Sequence, residues 1–176
     1  VIAHNNLGVT HQRLGRLNEA IISYKKAIEF KSDFVDAYYN LGAIYKSINE
    51  LKNAEASYKK AIELKPNNED ALYNLSNVLS LLDKIDEAEE SFKKIIRLNP
   101  KLAKVHNNLG NILLRLDKID EAEESFKKSI EINPGLIGAL INIGKILFKK
   151  GKFELSLKNF DACSKNKSLA NKFYGE

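Results

Sequence analysis

The sequence predicts an all-α fold, an array of helical hairpins stacked in series, and three observations predict it. The 176-residue chain repeats itself with a period of 34 residues, and the stretch LDKIDEAEESFKK at Leu82–Lys94 returns unchanged at Leu116–Lys128. Within each period, apolar residues recur at helical spacing in two separate blocks. Between the blocks stand Gly15, Asn49, Asp83, Asp117 and Gly151, the residue types that best tolerate the left-handed backbone ending a helix. Self-similarity at such a period marks units that bury their apolar face only against their neighbours.

Counted from Val1, the repeats are 1–34, 35–68, 69–102, 103–136 and 137–170. Positions four, seven, eight and eleven of each repeat share one helical stripe, so the first half forms an amphipathic helix A. Its seventh position holds Leu7, Leu41, Leu75, Leu109 and Ile143, and its eighth Gly8, Gly42, Ser76, Gly110 and Gly144. Helix B carries a second stripe. Ala20, Ala54, Ala88, Ala122 and Ser156 fill position twenty, and Tyr24, Tyr58, Phe92, Phe126 and Phe160 fill position twenty-four. Small residues at eight and twenty let the two backbones approach, and the aromatic ring fills the space beside them. Pro66, Pro100 and Pro134 close three of the repeats, because proline disfavours helical geometry in the residue before it. After the fifth repeat, Asn171-Lys172-Phe173-Tyr174 reads as the opening of a further or capping helix, cut short within 171–176. An array end left apolar needs a cap, a further repeat or a second copy, so self-association through the ends is one expectation.

Composition narrows the function classes. No apolar run reaches the roughly 18 residues of a membrane span, which predicts a soluble chain with no membrane partner. Residues 1–10 lack the basic start and apolar block of a secretory signal. Val1 opens the chain and methionine is absent, which reads as a piece of something longer. The single cysteine, Cys163, has no internal disulfide partner and fits a cytoplasmic, reducing location.

Signatures of chemistry are missing. There is no Gly-rich phosphate loop, nucleophile elbow or zinc-protease motif. His4, His11 and His106 lie in the buried columns four and eleven, without carboxylates or cysteines at ligand spacing, so they read as packing residues. No metal or other cofactor is expected. Cys163 falls in a small-residue column of helix B and reads as a core thiol. Glu89-Glu90 and Glu123-Glu124 resemble an acid/base couple, but each has a lysine four residues on (Lys93, Lys94, Lys127, Lys128), the spacing of solvated helix-surface pairs. The lysine doublets at Lys25, Lys59, Lys93 and Lys127 are interleaved with glutamates, unlike a phosphate-binding stripe, so nucleic acid is not an expected partner. The chain is therefore not expected to be an enzyme.

With these columns in phase, the pattern resembles the tetratricopeptide repeat over residues 1–170. The match is fullest in Leu7-Gly8, Ala20, Tyr24 and Ala27, and in Tyr38, Leu41-Gly42, Tyr45, Ala54, Tyr58, Ala61 and Pro66. The family's usual tryptophan at position four is replaced by His4, Tyr38, Leu72, His106 and Leu140, and Ser168 stands where the fifth repeat should have proline. The resemblance implies a right-handed α-solenoid, a superhelix with the A helices lining its concave side, that binds a protein or peptide ligand there.

Opposite the buried stripe of helix A lie positions two, six, nine and thirteen. Position six is asparagine in every repeat: Asn6, Asn40, Asn74, Asn108 and Asn142. Helix propensity does not ask for asparagine there. Its amide donates and accepts at once, matching the peptide unit of an extended chain. The column is similar to the asparagine ladder in the tetratricopeptide superhelix of O-linked N-acetylglucosamine transferases, which engages the backbone of protein substrates. Asn77 and Asn111 at position nine extend the polar strip, and Tyr39 and Tyr73 at position five border it. Asp36 and Asp70 at position two favour basic segments, whereas Arg13 and Arg115 at thirteen favour acidic ones. The amides have a second use, tying neighbouring repeats together. The carboxylate clamp of chaperone-binding members is not matched. Its lysine at position five is Asn5, Tyr39 or Tyr73, and its arginine at position six is Asn74, Asn108 or Asn142.

The expected function is thus a protein–protein interaction module that holds extended segments. Two other readings remain open: the substrate-recruiting arm of a larger, glycosyltransferase-like enzyme, and a structural assembly scaffold.

Overall fold

The computed structural model describes the backbone of residues 1–174 and the side chains of residues 1–165. Among them the secondary structure is ten α-helices and no strand. The chain divides into two compact units, Val1–Ser91 and Phe92–Glu176. The first holds α1 (Ile2–Arg13), α2 (Leu17–Phe30), α3 (Val35–Ser47), α4 (Leu51–Leu64) and α5 (Glu69–Leu81), and the division falls within α6 (Ile85–Leu98). The second holds α7 (Ala103–Arg115), α8 (Ile119–Ile132), α9 (Ile137–Lys149) and α10 (Phe153–Tyr174).

The turn between the two helices of a repeat is built the same way five times. Gly15, Asn49, Asp83, Asp117 and Gly151 all take positive φ, between 58° and 73°. The next residue's N–H then reaches back to a carbonyl five residues earlier: Arg16 to His11, Glu50 to Tyr45, Lys84 to Leu79, Lys118 to Leu113 and Lys152 to Leu147, at 2.8 to 2.9 Å. This closure satisfies carbonyls that the helix end would otherwise orphan. It reverses the chain, so α3 packs on α4 in the first unit and α7 on α8 in the second.

The small residue at position eight sets how closely the pair packs. A Cβ added to Gly42 would lie 2.7 Å from Tyr58 Cε1, and one added to Gly110 2.7 Å from Phe126 Cε1. Neither ring can retreat, because Tyr58 and Phe126 are fully buried. In the first unit Ala20, Tyr24, Ala27, Ala37, Leu41 and Ile44 form one buried cluster. In the second, Leu109, Leu113, Ala122, Phe126, Ala139 and Leu140 are buried.

Helix B ends differently at the two extremes. α4 and α8 stop at Lys65 and Asn133, each with φ of −137° and directly before proline. Repeat one has Ser32 in that column, yet α2 still ends at Phe30, where Phe34 N–H bonds the Lys31 carbonyl and turns the chain. Repeat five has Ser168 there, and α10 runs on to Tyr174. The backbone of the Asn171–Tyr174 segment, expected to open a new helix, thus belongs to α10, and its side chains lie outside the described residues.

Candidate functional site

Three of the position-six asparagines, Asn40, Asn74 and Asn142, bond side chains of the preceding repeat. In the first unit α1, α3 and α5 lie side by side. Asn40 Nδ2 donates to Asn5 Oδ1 (3.2 Å), and Asn74 Nδ2 donates to the Tyr39 hydroxyl (3.3 Å) and to the Asp70 carbonyl (3.0 Å). Lys46 Nζ donates to Asn74 Oδ1 (3.1 Å). In the second unit Asn142 Nδ2 donates to Asn111 Oδ1 (2.8 Å), and Asn107 Nδ2 donates to Asn108 Oδ1 (3.4 Å). At Asn40, Asn74 and Asn142, position six therefore reaches position five or nine of the repeat before it.

The remaining predicted residues divide. Asn6, Asn111, Asp36, Asp70, Arg13 and Arg115 are exposed; Asn77, Tyr39 and Tyr73 are half-buried. Asn77 turns its amide to the Tyr73 carbonyl of its own helix (2.9 Å). Tyr39 stacks edge-on against Tyr58, with ring centroids 5.8 Å apart. Burial, reinforced by the nearby Asp70 carboxylate, pushes the Tyr39 hydroxyl above its ordinary pKa and keeps it protonated. Asn5, Tyr39, Asn40, Lys46 and Asn74 thus form one polar strip across three helices, while Asp36 and Arg13 stand apart from its hydrogen bonds.

The histidines pack. His4 stacks on Phe30 (5.3 Å, 7° between planes), and buried His106 places Nε2 2.9 Å from the Pro100 carbonyl oxygen. Among the described residues, no three potential ligands converge on a metal position.

Position twenty-one departs from the sequence reading. Glu123 is not a solvated surface residue: its side chain is 7% exposed and lies 2.6 Å from both Lys127 of its own helix and Lys150 of the next repeat. Hydrogen bonds from Lys127 and Lys150 hold its carboxyl down at about 2. Glu55 does the same in the first unit, 2.7 Å from both Lys59 and Lys84. Burial pushes the Glu55 carboxyl up, but the two lysine hydrogen bonds outweigh it. Spacing of i, i+4 finds only half of such a bridge. The other half comes from a lysine 27 or 29 residues on, which no local pattern marks.

The columns also left some residues of this face unread. Lys46 bonds the asparagine strip from position twelve. In the second unit Leu114, Asn142, Lys145, Ile146, Phe148 and Lys149 line a pocket of about 740 Å³. Lys145 and Lys149 stand at positions nine and thirteen, the same columns as Asn111 and Arg115, so the sequence did carry the signal for them.

A left-handed turn joins the two helices of every repeat, and in four of the five a position-eight glycine faces the aromatic ring of helix B. Models of the tetratricopeptide repeat match residues 35–68 and 103–136, with further repeat models matching 13–49 and 57–90, together more than half of the chain. The chain belongs to the tetratricopeptide repeat family. No curated protein matches the sequence significantly. Among solved tetratricopeptide-like structures, MamA is similar at 27% identity, with a TM-score of 0.89 over 94% of this chain and 97% of that one. YrrB, described as a TPR protein with an unusual peptide-binding site, is similar at 26% identity, TM-score 0.80, over 93% and 84%. PilF of Pseudomonas aeruginosa shares the fold at 24% identity, TM-score 0.81, over 93% and 75%. The fold class is that of a tetratricopeptide α-solenoid, and its function class is a protein-interaction module. No described helix is long and apolar enough to cross a membrane.

Proposed function

We propose that the chain holds an extended peptide segment of another protein against its A-helix face, gripping the backbone through the position-six asparagines. One observation carries the reading. The two asparagine–asparagine pairs between repeats each leave a donor and an acceptor unspent. In the Asn142–Asn111 pair, Asn142 Nδ2 and Asn111 Oδ1 satisfy each other, leaving Asn142 Oδ1 to accept and Asn111 Nδ2 to donate. A peptide unit offers the N–H and C=O that complement this pair. The Asn40–Asn5 pair repeats the arrangement in the first unit. Similarity to YrrB supports the same class of ligand.

A second reading has its own support: the hydrogen bonds from Asn40, Asn74 and Asn142 join neighbouring repeats, so the column ties the array together whatever it binds. The triple substitution Asn40→Ala, Asn74→Ala and Asn108→Ala separates the two. Loss of such hydrogen bonds costs about 1 kcal/mol each in stability. Peptide holding predicts weakened capture of a bound segment with far-UV circular dichroism unchanged. Undiminished capture by a folded triple variant would leave only the tie. In the same framework, a recruiting arm for an enzyme or a scaffold would use the same face or the array ends.

A further inference from the structure

Resting on the peptide-holding reading, we infer that the second unit selects a segment in which a bulky apolar side chain is flanked by carboxylates. The A-helix face there does not continue as a purely polar strip. Beside Asn142 lies the pocket of about 740 Å³, walled by Leu114, Ile146 and Phe148 of the A helices together with Ile119 of α8 and Phe160 of α10. That volume is within the range of about 300–1,000 Å³ found for ligand pockets. Phe148 is 60% exposed, held edge-on by Phe153 with ring centroids 5.3 Å apart. An exposed ring braced in this way presents a rigid apolar surface at little entropic cost.

Charge around the pocket decides what accompanies the apolar group. Three other lysines of the unit are committed, Lys127 and Lys150 to Glu123 and Lys128 to Glu131. Lys145 and Lys149, both lining the pocket, have no acidic partner among the described residues and are exposed. They are one helical turn apart, so their ammonium groups repel unless an anion lies between them. Among the described lining residues Asp117, at the α7–α8 turn, supplies the one carboxylate, against Lys145 and Lys149. A segment with an apolar anchor and neighbouring Asp or Glu fills the pocket, neutralises both lysines and leaves its backbone beside the free Asn142 and Asn111 groups. A lysine-rich segment meets repulsion at the same place.

The test uses the whole chain and three short fluorescent peptides, read by anisotropy. One has a central phenylalanine between paired glutamates; the second replaces the glutamates by lysines, the third the phenylalanine by alanine. The acidic phenylalanine peptide should bind best. Lys145→Gln with Lys149→Gln, both surface changes that spare the core, should weaken it about tenfold, as expected for two partly exposed charge pairs. Equal binding of all three peptides, weakened by Asn111→Ala with Asn142→Ala, would overturn the charge-and-anchor selection while leaving backbone holding intact. Binding that is undetectable for all three, or indifferent to both double variants, would overturn the inference and withdraw support from the backbone reading as well.

Discussion

Neutralising Glu123 should loosen the packing of α8 on α9, and the effect should depend on pH in a defined direction. The carboxylate is almost buried, and it bridges Lys127 within its helix to Lys150 at the end of the next helix A, both at 2.6 Å. Lys150 also bonds Asp120 at 2.6 Å, so the bridge is a small network. With its carboxyl held at about 2 against an ordinary value of 4.5, the folded state favours the ionised form. The difference amounts to about 3 kcal/mol, and screening of the partly exposed lysines reduces what it contributes to roughly 1–2 kcal/mol. Because the folded value lies below the unfolded one, this stabilisation is complete above about pH 4.5 and is lost as pH falls through about 2. Urea unfolding of the wild type and Glu123→Gln, followed by circular dichroism, gives the gap at each pH. The gap should be roughly 1–2 kcal/mol at neutral pH and shrink as the medium is acidified, and high salt should narrow it. A gap that is absent at neutral pH, or constant down to acid, would refute a stabilising charge bridge.

Two comparisons within columns test the packing argument. Tyr58 buries its hydroxyl with no hydrogen-bond partner among the described residues, whereas the Tyr24 hydroxyl donates to Gln12 Oε1 at 3.0 Å. Tyr58→Phe should therefore leave the urea midpoint unchanged or higher, while Tyr24→Phe should lower stability by about 0.5–1.5 kcal/mol; the reverse order would contradict the assignment. Leu41 is 4% exposed and Leu7, in the same column, 45%. Leu41→Ala should cost about 2–5 kcal/mol and Leu7→Ala clearly less, as measured by thermal or urea unfolding.

The hairpins were legible because their causes are local. A 34-residue period, glycine opposite an aromatic ring and Gly, Asn or Asp at the turn are each dictated by backbone sterics or by spacing within one repeat, and the positive φ at Asn49, Asp83 and Asp117 follows from them. The asparagine column was legible as a column, since 3.6-residue periodicity assigns position six to one face without reference to anything else. Its partners were not. Whether Asn74 meets Tyr39 or Asn142 meets Asn111 depends on which side chains the preceding repeat supplies at that height. The same holds for Glu123, whose i, i+4 lysine suggested a solvated pair until Lys150 arrived from the next helix. Ser32 and Ser168 share a column, yet one helix stops and the other continues. The sequence by itself determined the repeat, its turns and the face that carries the amides, because each is settled within a few residues of chain. Only the tertiary structure decided which amides pair, which glutamate is buried and where two lysines flank an apolar pocket, because those outcomes are set by groups some 30 residues apart that meet only when repeats stack.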